Sequence, residues 1–182
     1  MINNEITILI VTYKSDDIIL KNLQNLRNFN IIIVDNYKDS NLNSKIHHFT
    51  NIKYFKNIKN LGEGGGAKIG LNNINTKYIL YLNPDTLIDE NNILILRDIY
   101  TQYSNIGLLT PIHLDENKNF IPNYFIHPFQ QKISRSNLQK QIFNKLKDIK
   151  PSGDFFPRCI WGAPLFVDTN LIKKIGFFDS DF

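Results

Sequence analysis

Near the start of the chain, Ile6-Thr7-Ile8-Leu9-Ile10-Val11 is a short, almost wholly apolar, β-branched run. Such a run predicts a strand buried on both faces, as in a parallel sheet. Asp16-Asp17 then precede Ile18, Ile19, Leu20, Leu23 and Leu26, which recur at helical spacing, and acidic residues at that start suit the helix dipole. Ile31-Ile32-Ile33-Val34 predicts a second buried strand, ended by Asp35-Asn36. Leu42 to Phe49 reads as a short helix and Ile52 to Phe55 as a third strand. A glycine-rich loop follows, then a helix from about Gly66 to Asn72. Tyr78 to Leu82 reads as a fourth strand, Asn91 to Tyr103 as a helix and Ile106 to Thr110 as a fifth strand. Strands alternating with helices predict an α/β fold, a mainly parallel sheet flanked by helices.

From Asp115 to Asp154 the character changes: Pro122, Pro128 and Pro151 break regularity and polar residues dominate. Within this stretch Leu138, Ile142, Phe143, Leu146 and Ile149 fall on one face of a basic helix. That helix either packs on its own domain or lies on an anionic membrane as a peripheral contact. Cys159 to Val167 is apolar, interrupted by Trp161-Gly162-Ala163, and a short helix runs on through Lys174.

Composition narrows the class. With 42% hydrophobic and 21% charged residues the 182-residue chain reads as one folded, soluble domain. No apolar run approaches the ~18 residues of a membrane span. The start lacks a basic n-region, and the single Cys159 suits a reducing compartment, so a cytoplasmic location is expected. A net charge of +4 could favour a phosphorylated ligand, anionic lipid or nucleic acid. Arg27, Arg97, Arg135 and Arg158 are scattered, so no dedicated nucleic-acid surface is expected.

In open α/β sheets ligands bind beyond the carboxyl ends of the strands. The residues there are Thr12-Tyr13, Asp35-Asn36, Asn60 through Gly66, and Asn83-Pro84-Asp85, all polar or glycine-rich. Four such sets in succession predict one coherent site. Asp35 is either a turn residue or a carboxylate facing a nucleobase or ribose. Gly62-Glu63-Gly64-Gly65-Gly66-Ala67 matches the G-x-G-x-x-A variant of a dinucleotide fingerprint, but it follows the third strand rather than the first. Its missing side chains would let a ligand approach the backbone, with phosphate at the helix start. Asn83-Pro84-Asp85 presents a carboxylate from a tight turn, which suits Mg²⁺ held by one or two carboxylates plus substrate phosphates.

In order and spacing, Val11-Thr12-Tyr13-Lys14, Val34-Asp35-Asn36, Asn60-Leu61-Gly62 to Gly70-Leu71, Leu82-Asn83-Pro84-Asp85-Thr86, and Trp161-Gly162-Ala163 with Gly176-Phe177-Phe178-Asp179 resemble the motifs of family 2 glycosyltransferases. The similarity is strongest to the rhamnosyltransferase-like and galactofuranosyltransferase-like branch. It implies a GT-A (Rossmann-like) fold and an enzyme that moves a sugar from a nucleotide-diphosphate sugar to a hydroxyl of a glycan or lipid-linked acceptor. Transfer would be inverting and assisted by Mg²⁺ or Mn²⁺, in the synthesis of cell-surface polysaccharide or glycan. On this resemblance Thr12, Tyr13 and Asp35 would hold base and ribose, and Asn60, Gly62 and Gly65 would shape the wall around the nucleotide. Lys68 would touch phosphate or stay solvated. Asn83 and Asp85 would stand as an N-x-D form of the D-x-D motif, with Asp85 on the metal, and Trp161, Gly162 and Ala163 would line the donor-sugar and acceptor side. Residues 1–110 would be the nucleotide-sugar-binding half, and residues 111–182 an acceptor-side portion with a variable insertion at about 115–154. The family's acidic E-D segment, which carries the general base, would follow Phe182, so the resemblance implies a C-terminally incomplete chain with no assignable base. Rival readings are a catalytically inactive nucleotide-sugar-binding fragment and a dinucleotide-dependent oxidoreductase.

Overall fold

A computed structural model describes residues 2–121, 124–125, 159–160 and 163–176. Residues up to 111, together with 163–176, belong to one compact unit, and those between belong to a second.

The first unit is built on β1 (Asn3–Thr12), β2 (Phe29–Asp35), β3 (Ile52–Lys56), β4 (Tyr78–Tyr81) and a strand from Leu165 to Asp168, in the order β3-β2-β1-β4 and then that last strand. β1 runs parallel to both β2 and β4, and β2 is parallel to β3. Helices α1 (Asp16–Leu23), α2 (Leu42–Ile46), α3 (Gly62–Asn72) and α4 (Glu90–Gln102) connect them. Because β1 is central and both its faces are covered, its side chains divide between two packing layers. Ile6, Ile8 and Ile10 pack with Ile19, Leu23 and Ile93 of α1 and α4 in the main core. Leu9 and Val11 meet α3. Each fully buried aliphatic side chain in this core contributes about 1.5–3 kcal/mol.

Two expectations are corrected here. Ile106 to Thr110 is not a strand: only Leu109 forms a bridge, to Phe166. The sheet's fifth position is taken by Leu165–Asp168, antiparallel to β4 through Ile79↔Val167 and Leu80↔Phe166. The glycine-rich stretch is not a loop, because α3 begins at Gly62 itself. Its buried glycines form the packing face. A Cβ on Gly66 would stand 2.6 Å from Val11 Cγ1, and one on Gly70 would stand 2.1 Å from Leu9 Cδ1. The glycines bring helix and sheet together, overriding their poor helix propensity.

In the second unit, β5 (His113–Leu114) pairs with β6 (Phe120–Ile121), and β7 (Tyr124–Phe125) pairs with β8 (Cys159–Ile160), both antiparallel. Asp115 organises the β5–β6 turn by accepting from the Asn119 side-chain amide and from the Asn119 and Asn117 backbone amides, which together hold its carboxyl below the usual carboxylate range. The predicted basic helix lies outside the described residues. With the edge strand (Leu165–Asp168) numbered β9, the helix after it is α5 (Thr169–Ile175), capped by Asp168, which accepts from the Asn170 and Leu171 amides. Among the described residues no helix is long and apolar enough to cross a membrane.

Candidate functional site

The strand order reverses at β1: the chain builds outward through β2 and β3, then crosses back to lay β4 on β1's other side. Such a switch point leaves a crevice at the carboxyl ends of the strands. A cleft of about 320 Å³ lies there. It is lined by Val11 and Thr12 at the end of β1, Tyr13 and Ser15 after it, by Asn36 after β2, by Asn60, Gly62 and Glu63 before and within α3, and by Asn83 and Pro84 after β4. Members of all four strand-end sets therefore meet in one place.

Thr12 is 2% exposed, and its hydroxyl has no hydrogen-bond partner among the described residues. Burying a hydroxyl without a partner is costly, and Thr12 is one of the residues that line the cleft. Tyr13 is exposed at the rim and meets Tyr37 edge-on, with ring centroids 5.7 Å apart. Lys14, at φ 55°, holds its ammonium 5.4 Å from the Tyr13 ring and 5.1 Å from the Tyr37 ring. This aromatic pair with its cation forms an amphipathic edge to the cleft.

Asp35 does not face the cleft. It is fully buried; Oδ1 accepts from the Tyr37 amide at 2.9 Å and Oδ2 from the Tyr54 hydroxyl at 2.8 Å. Burial, then that bond to Asp35, raises the Tyr54 hydroxyl well above the ordinary tyrosine range. The next residue, Asn36, takes the place at the cleft wall. Its amide nitrogen donates to the Gly62 carbonyl at 2.8 Å, and its oxygen accepts from Asn57 Nδ2 at 2.7 Å. A polar residue after a buried strand was the available signal for Asn36, but its partners come from the next strand connection.

Gly62 has a φ of 71° and its amide donates to Asn60 Oδ1, so these two residues shape the entry to α3. Gly65 and Lys68 lie outside the cleft lining: Gly65 faces Leu61, and Lys68 is exposed. Glu63 belongs to the glycine-rich set expected at this edge but had no role of its own assigned from the sequence. Its Oε1 accepts from the Tyr81 hydroxyl at 2.8 Å, which ties the first turn of α3 to β4. Ala163 is buried just before β9, and Trp161 and Gly162 lie outside the described residues.

After β4, the Thr86 amide donates to the Asn83 carbonyl at 3.2 Å, closing a turn with Pro84 and Asp85 at its centre. Proline is favoured at the second position of such a turn, and Asp85 is left exposed at the corner. Among the described residues no group of three His, Cys, Asp or Glu could cage a metal. One exposed carboxylate beside a cleft fits a hard divalent cation shared with a ligand's phosphates.

A family model, Glycosyl transferase family 2, matches residues 7–158. The chain belongs to this family. It is 28% identical over 188 residues to the low-salt glycan biosynthesis hexosyltransferase Agl10 of Haloferax volcanii, a match covering 98% of this chain and 57% of that one. Among solved structures it is similar to S. aureus TarS 1-349 in complex with UDP (TM-score 0.65, 16% identity, 97% of this chain and 51% of that chain). It is also similar to the mannosyltransferase PcManGT from Pyrobaculum calidifontis in complex with GDP-Man and Mn²⁺ (TM-score 0.66, 12% identity, 97% of this chain and 48% of that chain). At these identities the likeness shows the fold, which is GT-A. The chain spans about half the length of these relatives.

Proposed function

We propose that the cleft binds the nucleotide diphosphate of a sugar donor, in a glycosyltransferase that delivers the sugar to an acceptor hydroxyl. The carrying observation is the cleft where four strand ends meet, with Thr12, whose buried hydroxyl lacks a partner among the described residues, as one of its lining residues. Tyr13 offers an apolar face to a base, and Thr12 pairs with a polar group of base or ribose. Asn60 and Gly62 form the wall, and Asn83 with Asp85 faces the diphosphate. Asp35 acts from behind, holding the segment that carries Asn36 and Tyr37.

In the transfer, the acceptor oxygen forms a bond to the anomeric carbon as the bond to the diphosphate oxygen breaks. The hydroxyl proton goes to a base, and the nucleotide diphosphate leaves with the electron pair. Attack from the face opposite the leaving group inverts the anomeric centre. A divalent cation, Mg²⁺ or Mn²⁺, bound at Asp85 would neutralise leaving-group charge. The GDP-Man and Mn²⁺ complex of PcManGT, the UDP complex of TarS and the hexosyltransferase name of the Haloferax relative support this reading. A glycan or lipid-linked acceptor and the rhamnosyltransferase-like or galactofuranosyltransferase-like branch rest on motif order alone.

A thermal-shift panel of UDP, TDP, GDP and NAD, each with and without Mn²⁺ or Mg²⁺, tests the proposal. A ligand at 100 times its Kd stabilises by about 2.7 kcal/mol. A nucleoside diphosphate with metal is expected to raise Tm most, and Asp85→Ala to remove the metal-dependent part. A shift with NAD alone would favour an oxidoreductase and overturn the proposal.

A further inference from the structure

Asn22 is a costly residue where it stands. It lies inside α1, is 3% exposed, and sits beside the buried Ile19 and Leu23. Asparagine is a weak helix former, and a buried amide is costly unless paired. Both its hydrogen bonds leave the helix. Nδ2 donates to the Pro84 carbonyl at 2.5 Å and to the Thr86 carbonyl at 3.2 Å, 62 and 64 residues away. These are the carbonyls on either side of Asp85.

The Pro84 carbonyl belongs to the central peptide of the Asn83–Thr86 turn. Turning that peptide over converts a type I turn into type II, which requires positive φ at the residue after Pro84. Positive φ outside glycine occurs at Lys14 and Lys118 among the described residues, so Asp85 keeps the negative side. By fixing the Pro84 and Thr86 carbonyls together, the Asn22 amide opposes that flip and fixes the direction of the Asp85 side chain.

Resting on the metal-assisted donor reading above, we infer that Asn22 is a positioning residue that sets Asp85 for a divalent cation shared with the donor diphosphate. It touches neither cation nor nucleotide. Partners that orient a metal's carboxylate ligand typically govern about 10–100-fold in metal affinity.

The test is calorimetric titration of UDP and GDP with and without Mn²⁺ into the parent chain, Asn22→Ala, Asn22→Ser, Asn22→Asp, Asp85→Ala and Ile19→Val. Amide exchange at Thr86 is followed without ligand. Asn22→Ala is expected to lose about tenfold of the Mn²⁺-dependent gain in nucleotide affinity, to keep its metal-free affinity, and to expose the Thr86 amide to faster exchange. Asn22→Ser keeps one donor and falls between, so the comparison survives if the alanine variant folds poorly. Ile19→Val loses stability from the same helix but keeps the Mn²⁺ gain. Asn22→Asp separates positioning from charge: its carboxylate opposes two carbonyls and weakens the gain, whereas an electrostatic role would strengthen it. A full Mn²⁺ gain in Asn22→Ala, with Asp85→Ala abolishing it, would overturn the inference and leave the donor reading standing. No Mn²⁺ gain in the parent chain would overturn the metal reading, and this inference with it.

Discussion

The Asn36 side-chain amide donates to the Gly62 carbonyl at 2.8 Å, joining the end of β2 to the start of α3 across 26 residues. The same side chain accepts from Asn57 Nδ2, so it bridges both ends of the segment that leads into the cleft wall. It is 3% exposed, so its partners cannot turn freely to solvent. Asn36→Asp keeps the accepting oxygen but sets a second oxygen against the Gly62 carbonyl. The expected loss is about 1–3 kcal/mol, read by urea unfolding, with weaker binding of a nucleoside diphosphate. A loss in stability with unchanged binding would mean that the wall forms without this bridge.

Gly66→Ala sets two effects against each other. Alanine favours a helix over glycine by about 1 kcal/mol. The new Cβ would stand 2.6 Å from Val11 Cγ1 and 3.3 Å from Asn36 Nδ2. Overpacking of this kind costs about 1–3 kcal/mol, and β1 is central, so it cannot retreat. Net destabilisation is expected, with displacement of α3 from the sheet. Gly107→Ala, whose Cβ would meet nothing within 4 Å, is the control and stays near neutral. Equal Tm values for the two variants would show that α3 rests more loosely on β1.

The buried runs at β1, β2 and β4 were legible because strands covered on both faces carry their signal in every residue. The polar sets after those strands were legible for the same reason: they interrupt an otherwise apolar run. β9 was not legible as a sheet neighbour, since its pairing to β4 is set by a free sheet edge rather than by local pattern. Gly62 to Gly66 misled because glycine ordinarily marks a loop. Its use here depends on Val11 of β1 facing Gly66, a tertiary fact. Asn36 was legible as a polar strand-end residue but its partners were not, and Asn22 was hidden altogether. A lone asparagine does not show its partners, which here lie 21 to 64 residues away.

Tyr54→Phe removes the donor to Asp35 Oδ2 and, with it, the hydroxyl's contact with Ser40. Hydrogen bonds to charged groups contribute about 1.5–3 kcal/mol. Because Asp35 is fully buried, solvent cannot readily replace the lost donor. The variant is expected to unfold at lower urea with an unchanged m-value. A change under about 0.5 kcal/mol would class Tyr54 with ordinary surface positions and leave Asp35 to the Tyr37 amide alone.

Tyr81 gives the fold a dependence on alkaline pH. Its ring is 1% exposed and its hydroxyl donates to Glu63. Burial first, then that bond and the Glu63 charge, raise its ionisation well above the ordinary value of 10.0. In the unfolded chain the hydroxyl ionises near that ordinary value. The folded state therefore holds its proton more tightly, and the stability this contributes is fully present below pH 10.0 and is lost as pH climbs above it. Tyr54 and Tyr100 are raised in the same direction, so they add to the slope. Tyr81→Phe should make the loss of stability above pH 10 shallower, while costing about 1 kcal/mol at neutral pH for the missing bond. Urea unfolding at a series of pH values, with phenolate absorbance recorded alongside circular dichroism, separates these effects. A parent and a variant with identical slopes would show that Tyr81 ionises in the folded chain as freely as in the unfolded one, and that its bond to Glu63 does not hold the first turn of α3 against β4.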